Sequence, residues 1–327
     1  MASDKKSSLL YILKILQENT DETHPLTYAM IGDKLYSNYG IEIERKTIAS
    51  SIDILVEHGY DIVKCGKNGL YLGERDFEDG ELLFLIDAIY SSKSMPSKYA
   101  KDLANRLTKN FSKFKKKRFN HLEKIDDETN TDNKQIFYNI EILNEAIEQK
   151  KKVEFQYAAY GIDKKLKLRG EGKVYKINPY FMVNNRGKYY LVCNYDKYND
   201  FANYKIDYIS TVKILDEPVK PIEVVSGDDR FSVKDYIKEH IYMMNGKTIS
   251  AKLKILKEEK INDLIDWFGQ SVDFSKSKNE IFAEFKVNED SLIYWALQYG
   301  EFFEIVEPLE TREKIKNRLK QILEKYN

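Results

Sequence analysis

The sequence predicts a multidomain α+β protein, and three observations carry that expectation. Its 327 residues exceed one ordinary domain, and 42% hydrophobic with 13% aromatic residues are enough to bury real cores. The first third of the chain follows the helical period, interrupted by one Asn-Gly turn between short apolar runs. After a helix that begins near Ile136, short runs alternate apolar with polar, which is the period of strands.

Residues 7–18 place Leu9, Ile12, Leu13 and Leu16 at helical spacing, so they form an amphipathic helix. Pro25-Leu26-Thr27 supplies a break and an N-cap for a second helix, with Met30, Ile31 and Leu35 on its apolar face and Tyr39-Gly40 at its end. A third helix from about Arg45 to Glu57 buries Ile48, Ile52 and Leu55 before Gly59 stops it. Asn68-Gly69 then turns the stretch Tyr60–Leu72 into a hairpin. Three helices and a hairpin make a winged helix-turn-helix.

Glu81–Ser91 has the character of a buried helix (Leu82, Leu83, Leu85, Ile86, Ile89). Tyr99–Phe119 continues as a helix with Leu103, Leu107, Phe111 and Phe114 on one face and Lys and Arg on the other. A further helix carries Ile140, Leu143, Ala146 and Ile147. It leads into strand runs at Val153–Ala158, Lys173–Phe181, Lys188–Asn194, Ala202–Ile209 and Thr211–Leu215, which suit a small twisted sheet or barrel. The last stretch alternates strand Ile249–Leu256, helix Lys260–Phe268, strand Glu280–Val287, helix Asp290–Tyr299, strand Phe303–Val306 and helix Thr311–Tyr326, a small α+β layer structure.

Charge divides the chain further. Fifty-three basic residues balance 53 acidic ones, so no global field advertises a polyanion partner. Residues 1–75 hold 9 basic and 11 acidic residues, whereas 93–118 hold 10 basic and only Asp102 acidic. Turn-rich polar stretches at 126–133 and 226–229, with Asn245-Gly246 beyond, read as breaks. The expected domains are 1–75, a helical linker at 76–133 with a basic helix, 134–225 and 226–327. Cys65 and Cys193 match no zinc or redox spacing, and Lys14 interrupts the only apolar run near the start. No run approaches the ~20 apolar residues of a bilayer span. A cytoplasmic protein with no membrane association is expected.

Catalysis is not expected. His24, His58, His121 and His240 fall in different segments, and no phosphate-binding, dinucleotide or nucleophile motif is present, so neither metal nor cofactor is implied. The third helix, in contrast, presents Arg45, Lys46, Thr47, Ser50 and Ser51 for a major groove, with Lys64, Lys67 and Asn68 on the wing for the flanking backbone. Similar three-helix units also act as protein-interaction modules, and the acidic balance of residues 1–75 keeps that alternative open. The basic stretch 93–118 would supply further phosphate contacts.

These residues resemble a known family, the bacterial WYL-domain transcriptional regulators. Arg45-Lys46-Thr47-Ile48, Ile52-Asp53-Ile54-Leu55 and Gly59-Tyr60-Asp61-Ile62 are similar to their recognition helix and turn, and Leu82–Ser92 to their linking helices. Tyr189-Tyr190-Leu191 stands at the name-giving Trp-Tyr-Leu. Val153–Tyr157 and Ile177–Tyr180 are similar to the earlier strands, and Tyr204-Lys205-Ile206-Asp207-Tyr208-Ile209 to the Phe-Arg-x-Asp-Arg-Ile motif. The stretch from Leu292 to Tyr326 is similar to the extension that follows the WYL domain. The chain departs from the family at Ala49-Ser50-Ser51, where an aromatic, an arginine and an aspartate are frequent, and at Lys205 and Tyr208, which replace arginines.

The resemblance implies a winged helix on a double-stranded DNA operator, usually in a homodimer, and a central Sm-like β-barrel that senses a nucleotide or single-stranded nucleic-acid effector. It implies effector contacts at Tyr189, Tyr190, Lys205, Asp207 and Tyr208, with Tyr157 and Arg169 beside them. Strand alternation forbids Tyr189 and Tyr190 from facing one side together. The final domain or the helices at 82–111 are expected to meet a second subunit. An alternative is an accessory protein that binds single-stranded nucleic acid without acting at a promoter.

Overall fold

The computed structural model describes residues 2–73, 77–118, 133–228 and 230–327, and the chain divides into two units, 1–130 and 131–327. Most of the break expected at 126–133 lies outside the described residues, as do His121 and Asp229. The molecule is a mixed α+β protein with a helical N-terminal unit and three separate sheets.

In the first unit α1 (Ala2–Asn19), α2 (Tyr28–Tyr39) and α3 (Arg45–Glu57) precede an antiparallel hairpin of β1 (Ile62–Lys64) and β2 (Leu70–Leu72). Ile12, Ile15, Leu16, Ile31, Leu35, Ile48, Ile52 and Leu55 pack as its core. Thr27 caps α2, its hydroxyl accepting from the Met30 amide. Met30 itself is 44% exposed, because Ile31 and Leu35, one turn apart, define the buried stripe and Met30 falls beside it. The hairpin is tied to the start of α2 by paired backbone bonds between Leu26 and Leu70, both 2.9 Å. Gly69 makes this possible: a Cβ there would meet the Leu26 carbonyl oxygen at 2.3 Å.

Two further helices, α4 (Asp79–Ser91) and α5 (Ser97–Leu107), pack Leu82, Ile86 and Ala104 around Phe111. The single helix expected over Tyr99–Phe119 is broken. A turn at Thr108–Asn110 buries Phe111 and Ser112, and the chain restarts as the short α6 (Lys113–Arg118). Ser112 starts it, its hydroxyl accepting from the Lys115 amide.

The second unit begins with α7 (Ile136–Glu148) against a sheet of β3 (Lys151–Tyr160), β4 (Leu166–Leu168), β5 (Val174–Asn185), β6 (Lys188–Asn194) and β7 (Ala202–Lys205). Its order is β4-β3-β5-β6-β7, and β8 (Ile209–Pro218) also pairs with β3. A turn at Ile206–Tyr208 separates β7 from β8, so the single strand expected over Ala202–Ile209 is two. No β7–β8 ladder closes a barrel among the described residues. Leu143 and Ala146 of α7 cover Val153, Phe155, Ile177, Leu191, Cys193 and Ile206.

Two short helices, α8 (Ile222–Ser226) and α9 (Val233–Glu239), had no counterpart in the sequence pattern. A four-stranded antiparallel sheet follows, ordered β10 (Asp273–Ser277), β11 (Glu280–Asn288), β9 (Thr248–Ile255), β12 (Phe303–Glu307). With α10 (Ile261–Phe268), α11 (Glu289–Tyr299) and α12 (Leu309–Leu323) it surrounds a core of Leu253, Leu264, Ala283, Leu292 and Trp295. Among the described residues no helix is long and apolar enough to cross a membrane.

Candidate functional site

The first unit gathers cations around the start of α2. Arg45 lies 5.5 Å from the Tyr28 ring centroid, held by cation–π attraction. Arg45, Lys64 and Lys67 line a cleft of about 560 Å³ together with Thr27, Tyr28, Ala29 and the glycines of the hairpin. Tyr28 and Ala29, the first residues of α2, line this cleft, which therefore lies at the positive end of the helix dipole. An anion fits there for two independent reasons, side-chain charge and backbone dipole.

Arg45, Lys46, Thr47 and Ser50 are exposed on α3, and Lys67 and Asn68 on the hairpin. Ser51 is the correction. It is only 7% exposed, since it shares the inward face with Ile48, Ile52 and Leu55, and it offers nothing to a groove. Lys64 is exposed but engaged, its ammonium 3.2 Å from Asp53 of α3. That hydrogen bond raises the Lys64 pKa, and a phosphate would compete for the same ammonium.

The basic stretch is anchored rather than free. Asp21 is buried; one of its oxygens accepts from the Ser112 hydroxyl at 2.7 Å, and the other accepts from Thr23 and lies 2.7 Å from His24 Nδ1. Burial alone would raise the Asp21 pKa, but hydrogen bonds from Ser112, His24 and Thr23 outweigh it and bring the group down to about 2. The His24 ring stacks on Phe114 with centroids 3.6 Å apart, which locks α6 in place. Lys115 is taken up by Asp79 at 2.9 Å and the Lys116 ammonium donates to the Lys109 carbonyl at 3.3 Å, while Lys113 and Lys117 are exposed.

In the second unit Tyr157, Arg169, Lys205 and Tyr208, among the effector residues expected from the sequence, converge on one corner of the β3–β8 sheet. Tyr157, Tyr160, Tyr175, Tyr204 and Tyr208 form a chain of edge-on ring contacts, and the Tyr157 hydroxyl accepts from the Lys205 amide at 3.2 Å. Arg169 lies 5.5 Å over the Tyr157 ring and Lys205 5.3 Å over Tyr208. Among the described residues neither cation has a carboxylate partner. Burial raises the pKa of Tyr157, Tyr190 and Tyr208, and the charge of Asp207 adds to it in each case.

Tyr189 and Tyr190 separate as strand alternation requires. Tyr189 packs toward the α7-covered core, Tyr190 toward Val183, Val192, Tyr236 and Met243. Tyr157 and Asp207 are buried, so neither presents an open surface as it stands. The turn carrying Asp207 is pinned to the α7 region by Asn133, which donates to the Asp207 carbonyl at 2.9 Å, and by Asn139, which donates to the Ile209 carbonyl at 2.8 Å. Sequence reasoning missed Asn139, Tyr160 and Tyr175. Tyr175 pairs with Phe155 across the β3–β5 ladder and shares the face of Val153, Phe155 and Tyr157, whereas Tyr160 falls out of that alternation, and the buried asparagine had no local signal.

Residues 138–214 match the WYL domain family and residues 247–323 the WCX domain family. No curated protein matches the chain. Among solved structures, it is similar to proteasome accessory factor B/C (PafBC) of Arthrobacter aurescens, at 12% identity and a TM-score of 0.29, over 98% of this chain and 49% of that one. A CRISPR Cas-related protein matches at 16% identity and a TM-score of 0.38, over 100% of this chain and 85% of that one. The chain thus spans about half the length of the first of these structures.

Proposed function

We propose that this protein is a DNA-binding transcriptional regulator whose WYL domain senses a nucleotide or single-stranded nucleic-acid effector and modulates operator binding. On this reading α1–α3 and the hairpin act as a winged helix-turn-helix, the β3–β8 sheet as an Sm-like effector module, and the protein works as a cytoplasmic homodimer without enzymatic activity. The observation that carries it is the cleft at the start of α2, where Arg45, Lys64 and Lys67 meet the first turn of that helix. A duplex backbone seated there would leave Lys46, Thr47 and Ser50 of α3 beside the base edges.

The test is selection of a preferred duplex from random sequence, followed by binding across a salt series. Arg45→Glu with Lys46→Glu should weaken binding to that duplex by about 100-fold or more with the fold retained, since two attractions become repulsions. Undiminished affinity in the double variant would refute the assignment. Equal affinity for every duplex in the wild type, with tighter binding to single strands, would favour the accessory-protein alternative instead.

A further inference from the structure

Asp207 is a buried carboxylate of the effector corner whose bonding is incomplete among the described residues. It is 1% exposed, and neither carboxylate oxygen has a hydrogen-bond partner among the described residues. Burial raises its pKa; the charge of Lys188, its own amide and the charge of Lys205 act in the opposite direction without reaching bonding geometry. A buried carboxylate in that state is costly, since an acceptor-only group away from water needs donors. Nothing described in the chain supplies them, while Lys205, whose charge acts on Asp207, and Arg169, over the neighbouring Tyr157 ring, have no carboxylate partners among the described residues.

We propose that Asp207 reads the Watson–Crick edge of a guanine, making the effector a guanine-containing nucleotide or short single strand; the inference rests on the effector reading above. Two carboxylate oxygens side by side call for two adjacent donors. Guanine offers N1–H next to the 2-amino group. Adenine and cytosine each set one donor beside an acceptor, and thymine flanks its single N–H with two carbonyls, so each would aim a lone pair at the carboxylate. Tyr208 and Tyr160 supply ring faces for the base, and Lys205 and Arg169 supply cations for its phosphate.

Access requires local opening, and the neighbouring loop holds strained backbone. Gly170, Glu171 and Gly172 run in succession at φ 55, 53 and 86°, and Glu171 adopts this left-handed backbone without being glycine. The same loop lays Arg169 on Tyr157, so a phosphate that draws the guanidinium away would uncover the ring beside Asp207.

The experiment is calorimetric titration of the full chain with the trinucleotides d(TGT), d(TAT), d(TTT) and d(TIT), the last carrying inosine. One bidentate contact predicts that d(TGT) binds about 10-fold or more tighter than d(TAT) and d(TTT), with d(TIT) losing most of that advantage for want of the 2-amino group. Asp207→Asn should erase the preference for d(TGT), in part by relieving the repulsion felt by d(TTT), and melt no lower than wild type when ligand-free, because it removes an unsatisfied charge rather than a structural bond. Equal affinity of the wild type for all four overturns the guanine assignment and leaves the effector reading standing. Absence of binding to any of them overturns both. A ligand-free Asp207→Asn that melts clearly lower assigns the carboxylate to structure and also overturns the proposal.

Discussion

Two buried aspartates, one in each unit, have opposite fates. Asp21 is enclosed by donors from Thr23, His24 and Ser112, and its pKa falls to about 2. Asp207 is buried with neither carboxylate oxygen hydrogen-bonded among the described residues, and burial raises its pKa. Desolvation opposes the charge in both places, so the difference lies wholly in what the neighbours donate. The first carboxylate stabilises the unit that carries α6; the second weakens its own unit until something else completes it. A protein that keeps such a group pays for it in stability, and function is where that cost is recovered.

The comparison breaks most readily at Asp21. Its folded pKa lies below the ordinary 3.8, so the stabilisation is present in full above pH 3.8 and disappears as pH falls through about 2. Asp21→Asn should therefore cost about 2 kcal/mol at neutral pH, with wild type and variant converging near pH 2. Urea titration across that range measures it, and two parallel curves would show that the Ser112 and His24 bonds carry no charge dependence. The same variant should loosen α6 and with it the placement of Lys113, Lys116 and Lys117.

Those lysines give the next largest effect. Lys113→Ala with Lys117→Ala should weaken binding to all duplexes alike and flatten the salt dependence by ~0.9 for each phosphate no longer neutralised. An unchanged slope would make the exposed face of α6 a merely solvated one. Asp207→Asn, the mirror experiment to Asp21, should have the reverse pH profile. The wild type's deficit against it grows as pH rises from 3.8 through the raised folded value, and it closes in acid. The expected gap in free protein is about 1 kcal/mol, the lower part of the cost of leaving a buried group unsatisfied. A variant less stable than wild type at neutral pH would end the comparison.

How much of this was legible in the sequence follows the range of the interactions. The bounds of α3 and β6 agree with the sequence pattern because a local period and a local stop signal set them. The break at Ser112 was not legible, because its reason is a bond to Asp21, 91 residues away. Reading 202–209 as one strand put Asp207 in a regular alternation, whereas the Ile206–Tyr208 turn rotates it into the interior. On the DNA side Arg45, Lys46, Thr47 and Ser50 follow from helical phase, and Ser51 fails by the same phase once Ile48 and Ile52 fix the core. The closed barrel implied by resemblance is not completed among the described residues, where β7 pairs with β6 and β8 with β3 and no ladder joins β7 to β8.

The smallest effect concerns how the unsatisfied corner is connected to the rest of its unit. Lys188, whose charge acts on Asp207, starts β6 two residues after Arg186, and the Arg186 guanidinium stacks 3.5 Å from the Trp267 ring. Trp267 in turn donates from its indole nitrogen to the Tyr299 hydroxyl at 3.0 Å and leans on Tyr242. Asn185 reaches the His240 carbonyl from the same hairpin, so its movement is transmitted to the C-terminal sheet at two points. Trp295 is fully buried behind this layer and should report little. Arg186→Ala should cost no more than about 1 kcal/mol, the range of a partly exposed cation–π contact, yet change the emission of Trp267. Trp267→Phe identifies which indole gives the signal. If the effector acts at Asp207 and Lys188, adding it should shift that emission in the wild type and much less in Arg186→Ala. An equal shift in both would place the connection elsewhere than in the 185–188 turn.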